Sequence, residues 1–483
     1  MSSLMIDIFS FIYGTITLAV FWHKAVISLY GRPQKEVADL YTSTRLEQNR
    51  FWDMTDPSPH YRAPLLPGLR HEFITLSMGL RMHYMESLSN TKTRTLIVLI
   101  HGFPDSWCIF HPLLSSERLV ELEADIVAID LPGFGGSDDL QNYGPDAMLN
   151  AITETIHLLK QRYLTAEAPR CIVVGHDWGG IIAYRLAAET IGLMDRACMI
   201  NTAYAPLMKA NANAVLTLTK PHLSAWRRAP FTVQHLFAAW TAVEPLRAQV
   251  LKSCYIFMLN LPFWILRRNT VTIEYLLDLC HTRGNTSITA VPPVLFETSN
   301  PSNNPRRDAF AQARSSSFGP GYVESAVRGA KYGHSVKVRS RKSDRLPGDW
   351  LQRIRLYREG LAAKDWQLAP HLQQYALPRS HNRTTFKCPV SVIFGMRDLA
   401  LDPRIVLDGI ERYFQSSTIA LPGETGSMAE ADQSHVVELK DAGHWPMLDS
   451  EQGMEAIVRT MWWMVKPEYG LDSAFSSWND AKA

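Results

Sequence analysis

Six short apolar runs limit what this chain can become: TLIVLI (95–100), DIVAID (125–130), CIVV (171–174), ACMI (197–200), VSVIF (390–394) and HVVEL (435–439). Each is only four to six residues long, and β-branched side chains dominate most of them. That is the signature of strands buried on both faces. Segments of helical period over 146–163 and 179–190 stand between several of the runs. Buried strands separated by helices pair in parallel, because the crossover between parallel neighbours takes a dozen or more residues. The expectation is an α/β fold with a mostly parallel sheet and helices on both faces. Ahead of it, FITLSMGLRMHYM (73–85) reads as two further strands joined at Met78-Gly79.

The alternation lapses over 206–384, which is helical and aromatic and reads as a lid over one end of the sheet. The core is then split into 71–205 and 385–470, with a tail at 471–483 and a polar, proline-containing linker at 31–70. Within the lid, 299–345 holds ten Lys/Arg against three Asp/Glu, a local charge of +7. Since the whole chain carries +2, the remainder carries −5. The segment is Ser-, Asn- and Gly-rich and is expected to be a flexible insertion, or else a basic patch for an anionic membrane. The low net charge gives no reason to expect a nucleic-acid partner. Six cysteines without C-x-x-C spacing point away from a disulfide framework or a zinc site, and toward a reducing compartment.

At the N-terminus, Ile8 to Trp22 is fifteen residues without a charge, interrupted by His23 and Lys24 and resumed to Tyr30. Fifteen helical residues reach only about 22 Å, short of a ~30 Å hydrocarbon core, so spanning requires His23 and Lys24 to snorkel or the segment to extend to Tyr30. Residues 1–30 are expected to be a membrane anchor, with 4–30 in contact with lipid. Asp7 precedes the run while Lys24, Arg32 and Lys35 follow it, which places the body on the cytoplasmic side. The corresponding location is the endoplasmic reticulum membrane, with a cytoplasmic protein as the alternative.

In parallel α/β sheets chemistry collects at the carboxyl ends of strands. Four ends here are informative: His101-Gly102-Phe103, Gly175-His176-Asp177-Trp178-Gly179, Met396-Arg397-Asp398, and Gly443-His444-Trp445. Their order is that of oxyanion loop, nucleophile, acid and histidine in α/β-hydrolases, where the elbow G-x-S-x-G holds a serine. Asp177 stands in the serine's place. An aspartate is ionised at neutral pH and attacks carbon without a base, becoming an alkyl ester. His444, oriented by Asp398, can then activate water against that ester, with the backbone N–H groups of Phe103 and Trp178 as the oxyanion hole. His101 and His176 are assigned to structure, and Asp402, ahead of Pro403, to a helix start. No metal or cofactor enters this scheme.

HGFPDSW, DLPGFGGSD (130–138), GHDWGG and the late GHW resemble the epoxide hydrolases of the α/β-hydrolase superfamily, over about 71–205 and 385–465. The resemblance implies conversion of an epoxide to a vicinal diol through a hydroxyalkyl-aspartyl ester, without cofactor. It further implies two lid tyrosines that donate to the epoxide oxygen. CYIFMLNLP (254–262) resembles the first lid motif and places Tyr255; YREGLAAKDW (357–366) resembles the second and places Tyr357, with Trp366 behind it. Tyr275 and Tyr332 are the fallback donors, and Trp107 and Trp178 the expected pocket walls. Asp105 departs from the family's usual glutamate, and Leu131-Pro132 from its usual basic residue. The aromatic lid and the apolar N-terminus imply a small lipophilic substrate. Haloalkane dehalogenases share the aspartyl-ester logic, but commonly have an asparagine where Phe103 stands and lack the tyrosine pair. A non-catalytic ligand-binding α/β-hydrolase is the remaining alternative, against which the intact Asp177–Asp398–His444 set argues.

Overall fold

In the computed structural model the described residues are 3–30, 34–52, 68–87, 94–122, 124–281, 305–326, 331–341, 350–378, 380–414 and 434–466. Every strand expected from the sequence forms, and all join one sheet. They are β1 (Leu69–Thr75), β2 (Arg81–Ser87), β3 (Thr95–Ile100), β4 (Ala124–Ile129), β5 (Arg170–His176), β6 (Arg196–Ile200), β7 (Val390–Gly395) and β8 (His435–Leu439). The order is β1-β2-β4-β3-β5-β6-β7-β8. β1 pairs antiparallel with β2, and β2 with β4; the other neighbours are parallel. Gly79, at φ +78, takes the left-handed position of the β1–β2 turn, which costs other residues more than glycine.

β3 shows how the apolar runs are used. Its six residues are all buried, but Leu96, Val98 and Ile100 join one apolar cluster while Ile97 and Leu99 join another. Successive strand side chains point to opposite faces, so a central strand with helices on both sides must be apolar throughout. Ile182 and Leu186, from the helix Trp178–Glu189, lie in the first cluster; Ile457 and Met461, from the helix Glu451–Val465, lie in the second. Each such side chain contributes about 1.5–3 kcal/mol by leaving water.

Two expectations are corrected. The stretch 31–70 is not a linker throughout, because Gln34–Trp52 is a helix whose last residues, Phe51 and Trp52, are buried. Trp52 packs against His71 and His83, and these aromatic anchors outweigh the polar composition around them. Residues 53–67 and the tail 471–483 lie outside the described residues. Nor is 299–345 a free excursion where it is described. It forms the helices Pro305–Phe318, Tyr322–Ala326 and His334–Arg341. Trp52 Nε1 donates to the Ser315 carbonyl at 3.1 Å, and the Gly135 N–H donates to that of Ser317 at 3.3 Å. Asp138 Oδ1 accepts from the Ser335 N–H (3.0 Å) and hydroxyl (2.6 Å), and Arg339 pairs with Asp139. Asp138 and Asp139 are therefore partners of this insertion. Part of its positive charge is neutralised inside the protein, by acids far away in sequence.

The N-terminal helix, Ser3–Tyr30, is long and apolar enough over Asp7–Ser28 to cross a membrane. One side of it rests on the lid. Tyr13 meets Phe257 edge-on at 5.0 Å, Phe21 meets Tyr275 at 6.2 Å, and a Cβ at Gly14 would lie 2.4 Å from the Phe257 carbonyl oxygen. Ile8, Phe11, Ile12 and Ile16 on its other side are exposed.

Candidate active site

The turn between β5 and the helix Trp178–Glu189 sets Asp177 at φ 50, ψ −119, a conformation unfavourable for a non-glycine residue. The surroundings enforce it. A Cβ at Gly175 would lie 2.5 Å from the Gly179 carbonyl oxygen, and one at Gly179 would lie 2.1 Å from that of Ile100. Two small residues thus let strand and helix close around residue 177, whose carbonyl accepts the Thr202 hydroxyl at 2.7 Å. The side chain is turned to the carboxyl edge of the sheet, at the start of a helix, where the N-terminal dipole favours its negative charge.

Two groups meet that carboxylate. The Phe103 N–H donates to Asp177 Oδ1 at 2.8 Å, and Gly102 admits the approach, since a Cβ there would lie 2.2 Å from the same oxygen. His444 Nε2 lies 3.5 Å from Oδ2. On its other side His444 Nδ1 stands 2.7 Å from Asp398 Oδ2. Aromatic rings pack on the residues either side of the Asp177 carboxylate. Tyr357 packs edge-on against Trp178 at 4.9 Å and Phe103 at 5.3 Å, and Tyr255 packs edge-on against Tyr357 at 5.8 Å.

Charge follows from this geometry. Burial alone would lower the His444 pKa, but the carboxylates of Asp398 and Asp177 outweigh it and hold the imidazole well above its ordinary range. Burial would raise Asp398, yet the His444 charge and the hydrogen bonds from His444, Asn201 and the Ala400 N–H keep it below its usual value. Both phenols are pushed up. Burial does most of this, and the Asp177 carboxylate adds to it, so each stays a neutral donor through the physiological range. The other two histidines are structural. His101 is lowered by burial; it accepts the Leu131 N–H on Nε2 and faces the Gly102 carbonyl with Nδ1. His176 is pushed down to about 4, chiefly by burial, and its Nε2 bonds the His444 carbonyl at 2.8 Å. Asp402 caps the helix Pro403–Val406 through the Arg404 N–H, as a helix start should.

Not every expected residue comes to this place. Trp107 is fully buried in the apolar cluster that also holds Ile97, Leu99 and Phe110, not in the cluster with Phe103 and Trp178, so it is core and not pocket wall. It sits one turn past the oxyanion loop, where its backbone N–H is tied to Asp130 at 2.9 Å and its ring is directed away. Tyr332 donates to the Trp52 carbonyl, and Tyr275 faces Phe21, so neither fallback donor is near Asp177. Other residues join that the motifs did not reveal. Asn201, at φ 39, donates to Asp398 Oδ2 at 2.8 Å and accepts the Gly395 N–H at 2.9 Å. Its signal in the sequence was its place directly after a buried strand. Trp445 Nε1 donates to Asp105 Oδ2 at 2.8 Å, which links the loop after β3 to the loop after β8. Lys252 of the lid donates to the carbonyls of Asp398 and Leu401, each at 2.7 Å. Among the described residues no cluster of His, Cys, Asp or Glu has the form of a metal site.

Comparison with known proteins agrees with this fold. Residues 97–280 match the model of the alpha/beta hydrolase family. The chain is 28% identical to epoxide hydrolase 3 of Xenopus tropicalis over 197 residues, 40% of this chain and 42% of that one. It is 34% identical to epoxide hydrolase 4 of Homo sapiens over 112 residues, 23% of this chain and 28% of that one. The chain thus spans less than half the length of these relatives. An inhibitor-bound epoxide hydrolase of Bacillus megaterium aligns over 82% of this chain and all of its own, at 16% identity and a TM-score of 0.43. One from Vigna radiata aligns over 83% and 99%, at 14% identity and a TM-score of 0.44. Residues 97–280 are thus similar to the alpha/beta hydrolase family, and the matched parts of the chain are similar to epoxide hydrolases.

Proposed function

We propose that the chain hydrolyses a lipophilic epoxide to a vicinal diol, through an ester formed on Asp177. The observation that carries the proposal is the set around one carboxylate: a backbone N–H on Oδ1, an imidazole near Oδ2, and two neutral phenols within its field. Asp177 attacks an epoxide carbon while Tyr255 and Tyr357 donate to the oxygen, which departs as a hydroxyl on the adjacent carbon. His444 then takes a proton from water, which adds to the ester carbonyl. The N–H groups of Phe103 and Trp178 hold the oxyanion, the diol leaves as the Asp177 carboxylate is restored, and the proton that His444 took returns to the phenolate. The relatives named above support this substrate class. Membrane association through the Ser3–Tyr30 helix, with the body on the cytoplasmic side of the endoplasmic reticulum membrane, belongs to the same proposal.

Single turnover of an aromatic epoxide in ¹⁸O-water tests it. The first diol should carry ordinary oxygen, because that atom comes from the Asp177 carboxylate, and label should enter Asp177 instead. Label in the first diol would show direct attack by water. The phenols have their own test. Changing both Tyr255 and Tyr357 to Phe is expected to slow ester formation by about 10²–10⁴-fold, with smaller effects for each change alone. Rapid-quench measurement at wild-type rate in the double variant would remove the tyrosines from the mechanism.

A further inference from the structure

The lid exposes an apolar surface that the N-terminal helix does not cover. The helices Ala205–Arg228 and Val233–Ala242 pack on each other as a hairpin. Leu216, Leu218, Leu223, Phe231, Phe237 and Trp240 on it are exposed, Phe231 by 98% and Phe237 by 73%. A shallow recess of about 680 Å³ runs along the second helix, between Val233 and Trp240. Exposed aromatic residues at this density on one hairpin mark an interaction surface.

Charge selects what it meets. Residues 205–243 contain Lys209, Lys220, Arg227 and Arg228 and not one Asp or Glu. Lys220, Arg227 and Arg228 are exposed around the apolar residues, and the Arg247 guanidinium lies 3.6 Å over the Trp240 ring. A second copy of the same face would bring like charges together. An anionic bilayer takes both components, since apolar side chains enter beside the headgroups while Lys and Arg stay at phosphate level. We infer that this hairpin is a second membrane-docking surface, taking anionic lipid headgroups with its rim and acyl chains with Phe231, Phe237 and Trp240. The inference is independent of the epoxide reading.

The test floats the full chain with vesicles of phosphatidylcholine, with and without about a quarter phosphatidylserine. The K220E/R227E/R228E variant is expected to lose on the order of a hundredfold in partitioning onto the anionic vesicles, at about 1 kcal/mol for each basic residue near the surface. It should lose little on the neutral ones. The F231S/F237S/W240S variant should bind both more weakly, and vesicles should slow hydrogen exchange over 229–243 in the wild type. Melting curves check that both variants fold. Partitioning of both variants equal to the wild type, with unchanged exchange over 229–243, would mean that the N-terminal helix binds alone and would overturn the inference. A lipid-free dimer that the serine variant abolishes, without change in vesicle binding, would assign the face to a second copy instead.

Discussion

Asp177→Asn is expected to reduce epoxide turnover by at least about 10⁴-fold, because it removes the negative charge of the only group proposed to attack carbon. The amide has nearly the same shape, and its oxygen can still accept the Phe103 N–H that now meets Oδ1. The fold and substrate affinity should therefore persist, and the loss should fall on kcat. A second readout separates this from general damage. With a carboxylate gone from beside Nε2, His444 loses one of the two charges that hold its pKa up. Its imidazole resonance should titrate at lower pH in the variant than in the wild type. Full activity in Asp177→Asn would sink the nucleophile assignment, whatever the titration showed.

His444→Gln is expected to stop the reaction one step later. Attack by a carboxylate needs no general base, so the ester should form once and then persist. Mass spectrometry should find the protein heavier by one epoxide, on the peptide carrying Asp177, while steady turnover falls by about 10³-fold or more. A variant that neither turns over nor gains mass would show that His444 acts before the ester forms. The same charges set the pH dependence in the wild type. Alkylation neutralises Asp177, so Asp398 alone then raises His444, whose pKa in the ester lies below that of the resting protein. Ester breakdown should speed up as pH rises through that lower value, since only neutral imidazole accepts the proton from water. Stability moves in the opposite sense. A histidine whose pKa is raised by folding stabilises the protein below its unfolded pKa, near 6.5, and that contribution is lost as pH rises through the folded value.

Much of this was legible from residues close together in sequence. Strands of four to seven residues buried on both faces must be apolar along their length, so TLIVLI and CIVV announced themselves. The elbow was legible too, because glycines at 175 and 179 answer to a steric need within one turn of chain. The insertion was not. Its charge looked solvent-bound because Asp139, which pairs with Arg339, belongs to a loop after β4. Trp107 looked like pocket wall from its place after the oxyanion loop, but strand and loop twist carry its ring into the opposite cluster. Asn201 had no motif at all; only the pairing of β6 beside β7 sets it against Asp398.

By itself, then, the chain's order of residues determined the sheet, the aspartate at the strand–helix turn, and the sequence of strand ends that could serve it. These depend on periodicity and on local sterics, which neighbours in the chain carry. The packing of strands from different halves decided the rest: the 3.5 Å between His444 and Asp177, the pairing of Tyr255 with Tyr357, and the burial of the basic insertion. Such contacts join residues far apart in the chain, and their worth depends on distance and burial, neither of which composition or spacing specifies.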